Sequence, residues 1–233
     1  MPLPKLPSFH RSKSPAPPSI DPLATYTISQ NLAGKLTVTS PTPSGYSYSI
    51  TLSMKKSWRD TIEVAIHRSA ASTFEQQSDV VGHCLIQTAS AKFTKCTFDA
   101  YGEDVKLEKT SGALSAMEKS CYTLAAPLGT FKWEHDHDSI TGAAKRLKLV
   151  DEQGTVLARF GGTGQTANEF GVLEVYDGKL AADENWCGLV LLTAVCVFAR
   201  EERSRERKKK ANGVVGVIGN WGGLLTMGIP VGN

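Results

Sequence analysis

The sequence contains no C-x-x-C pair, so it lacks the spacing of most redox and zinc-binding motifs. It also lacks an apolar segment near its start that would form the core of a secretory signal. An odd number of widely spaced cysteines favours free thiols in a reducing compartment. These absences predict a cytoplasmic protein. The five cysteines are Cys84, Cys96, Cys121, Cys187 and Cys196.

The motifs of several large enzyme classes are missing as well. The sequence contains no G-x-S-x-G elbow and no protein-kinase set. The Gly-rich segment 160–166 lacks the Gly-Lys-Ser/Thr that would hold a phosphate and its magnesium ion. His83 and Cys84 are neighbours on a predicted strand, so they point to opposite faces and cannot act together as base and nucleophile. We therefore predict a non-enzymatic protein without a cofactor.

One short segment, EHDHDS at 134–139, has the composition of a metal site. On a strand, however, His135 and His137 face one side while Asp136 and Asp138 face the other. No third ligand follows at a useful spacing, so we predict solvated turn residues and no metal. A metal-dependent hydrolase that uses His135 and His137 is the alternative.

Charge is nearly balanced over most of the chain and concentrated near its end. The net charge is +3 over 233 residues, with 41% hydrophobic and 21% charged residues, as in an ordinary globular protein. Residues 200–210 alone hold seven basic and three acidic side chains. At the other end, residues 1–22 are rich in Pro and Ser, which predicts a disordered arm.

Ten segments have the character of short strands separated by turns. Apolar residues alternate with polar ones, as Tyr46, Tyr48 and Ile50 do, with the period of a strand that is buried on one face. DEQG at 151–154 predicts a hairpin, and YDGK at 176–179 predicts another turn. The pattern indicates an antiparallel meander that closes into a barrel or sandwich. The segments are 46–53, 60–67, 80–88, 91–98, 104–109, 120–126, 130–135, 146–151, 155–160 and 170–176.

The longest apolar run follows these strands and is uncharged from Asn185 to Ala199. We predict a helix capped by Asp183 or Asn185. Its apolar part has 15 residues and is about 22 Å long as a helix. A bilayer core requires roughly 20 residues, so the segment is too short to span one. A helix that is apolar on every face must be buried on every face. A barrel of about twelve strands has a lumen that can hold it. The predicted lumen residues are Trp186, Leu189, Val190, Leu192, Val195, Val197 and Phe198.

Four segments, 129–135, 147–160, 170–178 and 188–205, together resemble the tubby C-terminal-like superfamily. This superfamily includes the tubby proteins, the plant LURP-one-related proteins and the phospholipid scramblases, and the likeness is greatest to small tubby-like domains common in fungal proteins. The resemblance implies a mainly β fold, a closed antiparallel barrel of about 12 strands enclosing a C-terminal hydrophobic helix. We expect the arm at 1–22, the barrel at 23–207 with its helix at about 183–207, and a basic, Gly-rich tail at 208–233.

Two basic clusters are the candidate binding residues. Clusters of four or more Lys or Arg attract acidic lipids by about 1 kcal/mol per residue, so we predict binding to anionic phospholipid or phosphoinositide, peripheral to a membrane. Alternatively, basic residues at a helix end only complement its dipole. Whether the clusters share a face is left open by the sequence, as is the oligomeric state. The candidates are Lys55, Lys56, Arg59, Arg203, Arg205, Arg207, Lys208, Lys209 and Lys210.

Three further interpretations remain at this point. The uncharged tail 211–233, with seven glycines, would contact the membrane, add an edge strand or stay unstructured. The barrel would bind a protein partner instead of lipid. A weaker alternative is nucleic-acid binding through residues 203–210, which would show steep salt dependence; no nucleic acid is expected.

Overall fold

The computed structural model describes residues 21–31, 35–39, 46–55, 61–70, 79–87, 92–102, 104–110, 121–136, 146–161 and 169–211. Most of the predicted arm, the Gly-rich segment from residue 162, and the tail from residue 212 lie outside these ranges.

The described chain forms twelve strands followed by two helices. The strands are β1 (Ala24–Gln30), β2 (Leu36–Thr39), β3 (Tyr46–Lys55), β4 (Thr61–Ala70), β5 (Asp79–Gln87), β6 (Lys92–Phe98), β7 (Lys106–Thr110), β8 (Cys121–Ala126), β9 (Gly129–Asp136), β10 (Arg146–Val150), β11 (Val156–Gly161) and β12 (Glu169–Val175). The helices are α1 (Gly178–Ala182) and α2 (Glu184–Ala211).

All twelve strands belong to one antiparallel sheet in the order β6-β5-β4-β3-β2-β1-β12-β11-β10-β9-β8-β7. The first strand pairs with the last, Ala24 opposite Val175, which joins the two halves of the meander. The outermost strands of this order, β6 and β7, are consecutive in the chain, and a bridge between Phe98 and Gly102 lies in their connection. The sheet curves into a nearly closed barrel, and the predicted mainly β fold class is confirmed.

All ten segments that hydrophobic periodicity predicts as strands are strands in the structure, which has β1 and β2 in addition. The DEQG hairpin is confirmed, because Gly154 has a φ of 82° and the Asp151 carboxylate accepts hydrogen bonds from the Gln153 and Thr155 amides. The turn predicted at YDGK is wrong. Asp177 instead caps α1, and its Oδ1 accepts a hydrogen bond from the Leu180 amide at 2.8 Å.

Helix α2 begins at Glu184, and the Asp183 carboxylate caps it by accepting hydrogen bonds from the amides of Asn185 and Trp186. All side chains from 189 to 197 are 0% exposed. The seven predicted lumen residues are all buried. None of the described helices combines the length and apolar character that crossing a bilayer requires.

The walls that bury α2 come from strands in different parts of the sheet order. Trp133 on β9 donates a hydrogen bond to Thr193 on the helix, and Tyr48 on β3 donates one to the Glu184 carbonyl. On β11 and β12, Phe160 and Phe170 pack around Phe198 of the helix. Because these strands are spread through the sheet, the barrel wall encloses the helix instead of offering it a single flat face.

The contacts along α2 also fix the direction of each strand. Arg68 on β4 donates a hydrogen bond to the Asn185 side chain at the start of the helix. His135, near the end of β9, contacts Glu201 roughly four helical turns later. We call the first end, where α1 lies, the cap end. We call the second, where α2 leaves the barrel, the stem end.

Candidate functional site

The C-terminal part of α2 extends beyond the barrel. The side chains are buried from Trp186 to Glu201, and Ser204 is exposed. The helix then continues to Ala211, past the predicted end at residue 207. Arg and Lys are good helix formers and the sequence has no Gly or Pro between Gly188 and Gly213, which explains the extra turn. We call residues 202–211 the stem; it is about 15 Å long at 1.5 Å per residue.

The stem carries basic positions all around its axis. At about 100° per residue, positions 203, 207 and 210 share one face of the helix, and the basic positions 205, 208 and 209 are distributed over the rest. Residues 202–210 contain six basic and two acidic side chains, a net charge of +4. Because the sequence of the stem has no apolar stripe, it would contact an anionic surface by charge and not by inserting a hydrophobic face.

The other predicted cluster begins at the same end of the barrel. Tyr48 and Arg68 are register partners at the cap end, so β3 runs from the cap end to its last residue, Lys55, at the stem end. Lys56 and Arg59, the other members of this cluster, lie outside the described residues. The structure thus brings the described member of this cluster to the end from which the stem projects.

The sequence analysis missed a further exposed basic residue, Lys35. β1 starts beside Val175 and runs away from the cap end, so the β1–β2 connection that holds Lys35 faces the stem end. This hairpin is short, and Leu36 pairs with Ile50 in the middle of β3, so Lys35 lies below the stem end itself. Its side chain is exposed, and its amide donates a hydrogen bond to the Asn31 side chain. Near the same end, the exposed Lys109 and Glu169 offset each other in charge. A single lysine between two short strands gives no signal in the sequence.

Carboxylates gather at the opposite end of the barrel. The connections β6–β7 and β10–β11 and the starts of β1 and β5 all lie at the cap end, and each supplies at least one exposed acidic side chain. These carboxylates outnumber the three exposed lysines toward this end, 106, 132 and 179. The described barrel is therefore polarised, with an acidic excess at the cap end and a basic excess at the stem end. The exposed acidic residues are Asp21, Asp79, Asp99, Asp104 and Glu152.

A buried polar cluster holds α2 where it leaves the barrel. Arg200 is 6% exposed and Glu201 is 8% exposed. Arg200 donates a hydrogen bond to the Tyr122 hydroxyl, which donates to Glu201 Oε1 at 3.2 Å. His135 Nε2 lies 3.0 Å from the same Glu201 oxygen. These contacts connect the helix to β8 and β9 and fix the point from which the stem projects.

The cluster also bears on the metal alternative. His135 is engaged with Glu201, while Asp136 pairs with Arg159 on β11 at 3.0 Å. The two adjacent residues thus diverge, as strand alternation predicts. His137 lies outside the described residues. Within the described ranges, no three His, Cys, Asp or Glu side chains are arranged to hold a metal ion.

Three buried thiols meet between the helix and the wall. Cys84 and Cys96 are register partners on β5 and β6, and Cys196 on α2 is hydrogen-bonded to Cys84. The hydrogen bond to Cys196, together with burial, raises the pKa of the Cys84 thiol well above its ordinary value. The hydrogen bond to Cys84, together with burial, raises the pKa of Cys96. Because the thiolate is the reactive form, these protonated thiols serve as core packing at neutral pH.

The architecture and this site define a β-barrel that is filled by its own C-terminal helix and polarised from end to end. No known family model, curated protein or solved structure matches the chain.

Proposed function

We propose that the protein is a non-enzymatic binding module that attaches its stem end to an anionic phospholipid surface. The observation that carries the proposal is the convergence of the stem and the end of β3 at Lys55 on one end of the barrel. The cytoplasmic leaflet is the anionic one, so the proposal includes a peripheral location on that leaflet.

The helix dipole accounts for only part of the basic run. The influence of the dipole falls off within the last turn of a helix, which here contains residues 208–210. Arg203, Arg205 and Arg207 lie before that turn. Glu202 and Glu206 offset part of the charge of this segment. A net charge of +4 remains on residues 202–210, and attraction to an anionic surface would account for it.

The filled lumen supports an external ligand. Because α2 occupies the interior from Trp186 to Phe198, a lipid would meet the protein from outside and through its headgroup. The acidic cap end would be repelled by the same surface that attracts the stem end. Charge polarity thus sets an orientation, with the stem toward the membrane and α1 away from it.

Membership of the tubby C-terminal-like superfamily is part of the proposal. Its support is the shared plan, a meander of twelve antiparallel strands around a terminal hydrophobic helix. No lipid-binding position is carried over from that superfamily. The site proposed for this chain rests on its own basic residues.

The test compares two triple variants with equal changes in net charge. Lys208→Ala, Lys209→Ala and Lys210→Ala together remove three charges from the stem, at about 1 kcal/mol each, so the affinity should fall roughly a hundredfold. The matched control changes the three exposed lysines that lie toward the cap end, 106, 132 and 179, to Ala. Co-sedimentation with phosphatidylcholine vesicles, with and without phosphatidylserine or a phosphoinositide, measures the binding.

We expect binding only to the anionic vesicles, weakened by the stem variant and by added salt, with the control unchanged. Equal binding to neutral vesicles, or equal losses in the two variants, would contradict the proposal. Lack of vesicle binding, combined with recovery of a stoichiometric protein partner, would favour a protein-interaction barrel. A steep salt dependence of RNA or DNA binding, with no vesicle binding, would favour the nucleic-acid alternative.

A further inference from the structure

We propose that Ser204 is a phosphorylation site that weakens attachment of the stem to an anionic membrane. The inference rests on the proposed function and adds a means of regulating the same site. Ser204 is the single hydroxyl residue between positions 200 and 210.

The position of Ser204 makes it accessible. Its side chain is exposed, three residues after Glu201, the last residue of α2 that the barrel buries. The hydroxyl is therefore clear of the barrel at the base of the stem. Arg203 and Arg205 flank it in the sequence, so a serine kinase with an acidic substrate groove would have complementary charge on both sides of the hydroxyl.

The phosphoryl donor is ATP, which the kinase binds together with magnesium. The Ser204 Oγ attacks the γ-phosphorus, and the bond from that phosphorus to the bridging oxygen breaks. ADP leaves with the bond electrons, and the hydroxyl proton passes to a base of the kinase. The product carries a phosphate monoester with a charge of about −1.5 to −2 at neutral pH.

A phosphate at this position would weaken the binding of the stem to anionic lipid. The net charge of residues 202–210 would fall from +4 to roughly +2. Arg207 and Lys208 follow Ser204 by three and four residues, so their positions adjoin it one turn along the helix. A phosphate on Ser204 would compete with the lipid phosphates for these two cations. We expect the affinity for anionic vesicles to fall roughly ten- to thirtyfold.

The test uses the full chain with phosphoserine incorporated at position 204 during translation. Phosphoserine at position 47 provides a control of equal charge, because Ser47 is exposed and lies at the cap end beside Tyr48. Co-sedimentation with phosphatidylserine-containing vesicles compares both with the unmodified chain. In parallel, native protein and the S204A variant are treated with an Arg-directed serine kinase, and phosphate is mapped by mass spectrometry.

Two results together would support the inference. The chain phosphorylated at position 204, but not the one phosphorylated at position 47, binds more weakly than the unmodified chain, and the kinase modifies Ser204 in the native protein. Undiminished binding, equal weakening by phosphate at position 47, or no modification of Ser204 would overturn it while the proposed function stands. If the unmodified chain itself fails to bind anionic vesicles, the proposed function falls, and the inference falls with it.

Discussion

The hydrogen bond between Trp133 and Thr193 offers a direct test of how α2 sits in the barrel. Both side chains are 0% exposed. The indole Nε1 of Trp133 donates to Thr193 Oγ1 at 3.1 Å, and the same hydroxyl donates within the helix toward the Leu189 carbonyl at 3.0 Å. This contact fixes both the rotation of the helix and its depth, because a shift of one residue would turn Thr193 away from β9 by about 100°.

Thr193→Val replaces the hydroxyl with a methyl group of similar size and leaves the indole N–H buried without its acceptor. An unsatisfied buried donor costs about 1–3 kcal/mol, and the added methyl group recovers up to about 0.8 kcal/mol. We therefore expect a net loss of roughly 1–2 kcal/mol in the free energy of unfolding. In a Trp133→Phe background no indole donor remains, so the same substitution should be neutral or slightly stabilising.

The native protein, Thr193→Val, Trp133→Phe and the double variant form a double-mutant cycle. Urea unfolding followed by far-UV circular dichroism measures the stability of all four without relying on tryptophan fluorescence. The cost of the cavity in Trp133→Phe cancels in the cycle, and a coupling of about 1–2 kcal/mol should remain. Thr193→Ser keeps the hydroxyl but removes the methyl group, so it measures the packing contribution of this side chain separately from its hydrogen bond. If Thr193→Val costs the same in the Trp133→Phe background as in the native one, the two side chains are not in contact and the placement of α2 is wrong.

Two other predictions concern the ionisable core. Burial raises the pKa of the Cys187 thiol to about 11 and that of Tyr48 to about 12. The unfolded chain therefore loses these protons first as the pH rises, so the free energy of unfolding should fall between about pH 9 and 12. Tyr48→Phe should make the decline from about pH 10 to 12 shallower, and an unchanged slope in urea titrations would refute the assignment. An aromatic disulfide reagent should modify the half-buried Cys121 in the native protein well before the other four thiols, and all five in denaturant; rapid reaction of Cys84 or Cys196 would indicate an open core.

Side-chain periodicity was sufficient to predict the wall of the barrel and the helix inside it. Strands such as β3 and β4 are ten residues long, so several apolar positions repeat the alternation. β2 carries the same signal in Leu36 and Val38, but it has only four residues and the repeat is correspondingly short. At YDGK, Asp followed by Gly suits both a turn and a helix start, and the burial of Leu180 in the core decides for α1.

The two ends of the barrel could not be told apart from the sequence. Alternation indicates which face of a strand is buried, but it contains no information on which connections meet at one rim. Lys55 and the stem are far apart in the chain, and they reach the same end because β3 and α2 both run from the cap end to the stem end. The acidic cap end arises in the same way, from connections that each carry only one or two carboxylates.

Placing the terminal helix inside the barrel links the stability of the fold to the presentation of the stem. The same continuous helix contributes residues 189–197 to the core and residues 202–211 to the stem, so any movement of the stem at its root would disturb buried packing. Arg200 and Glu201, bound to Tyr122 and His135, hold that root. A basic segment rooted in this way loses less conformational freedom on binding than a flexible tail of the same charge. The helix therefore serves the barrel twice, as its core and as a fixed support for the charges at the stem end.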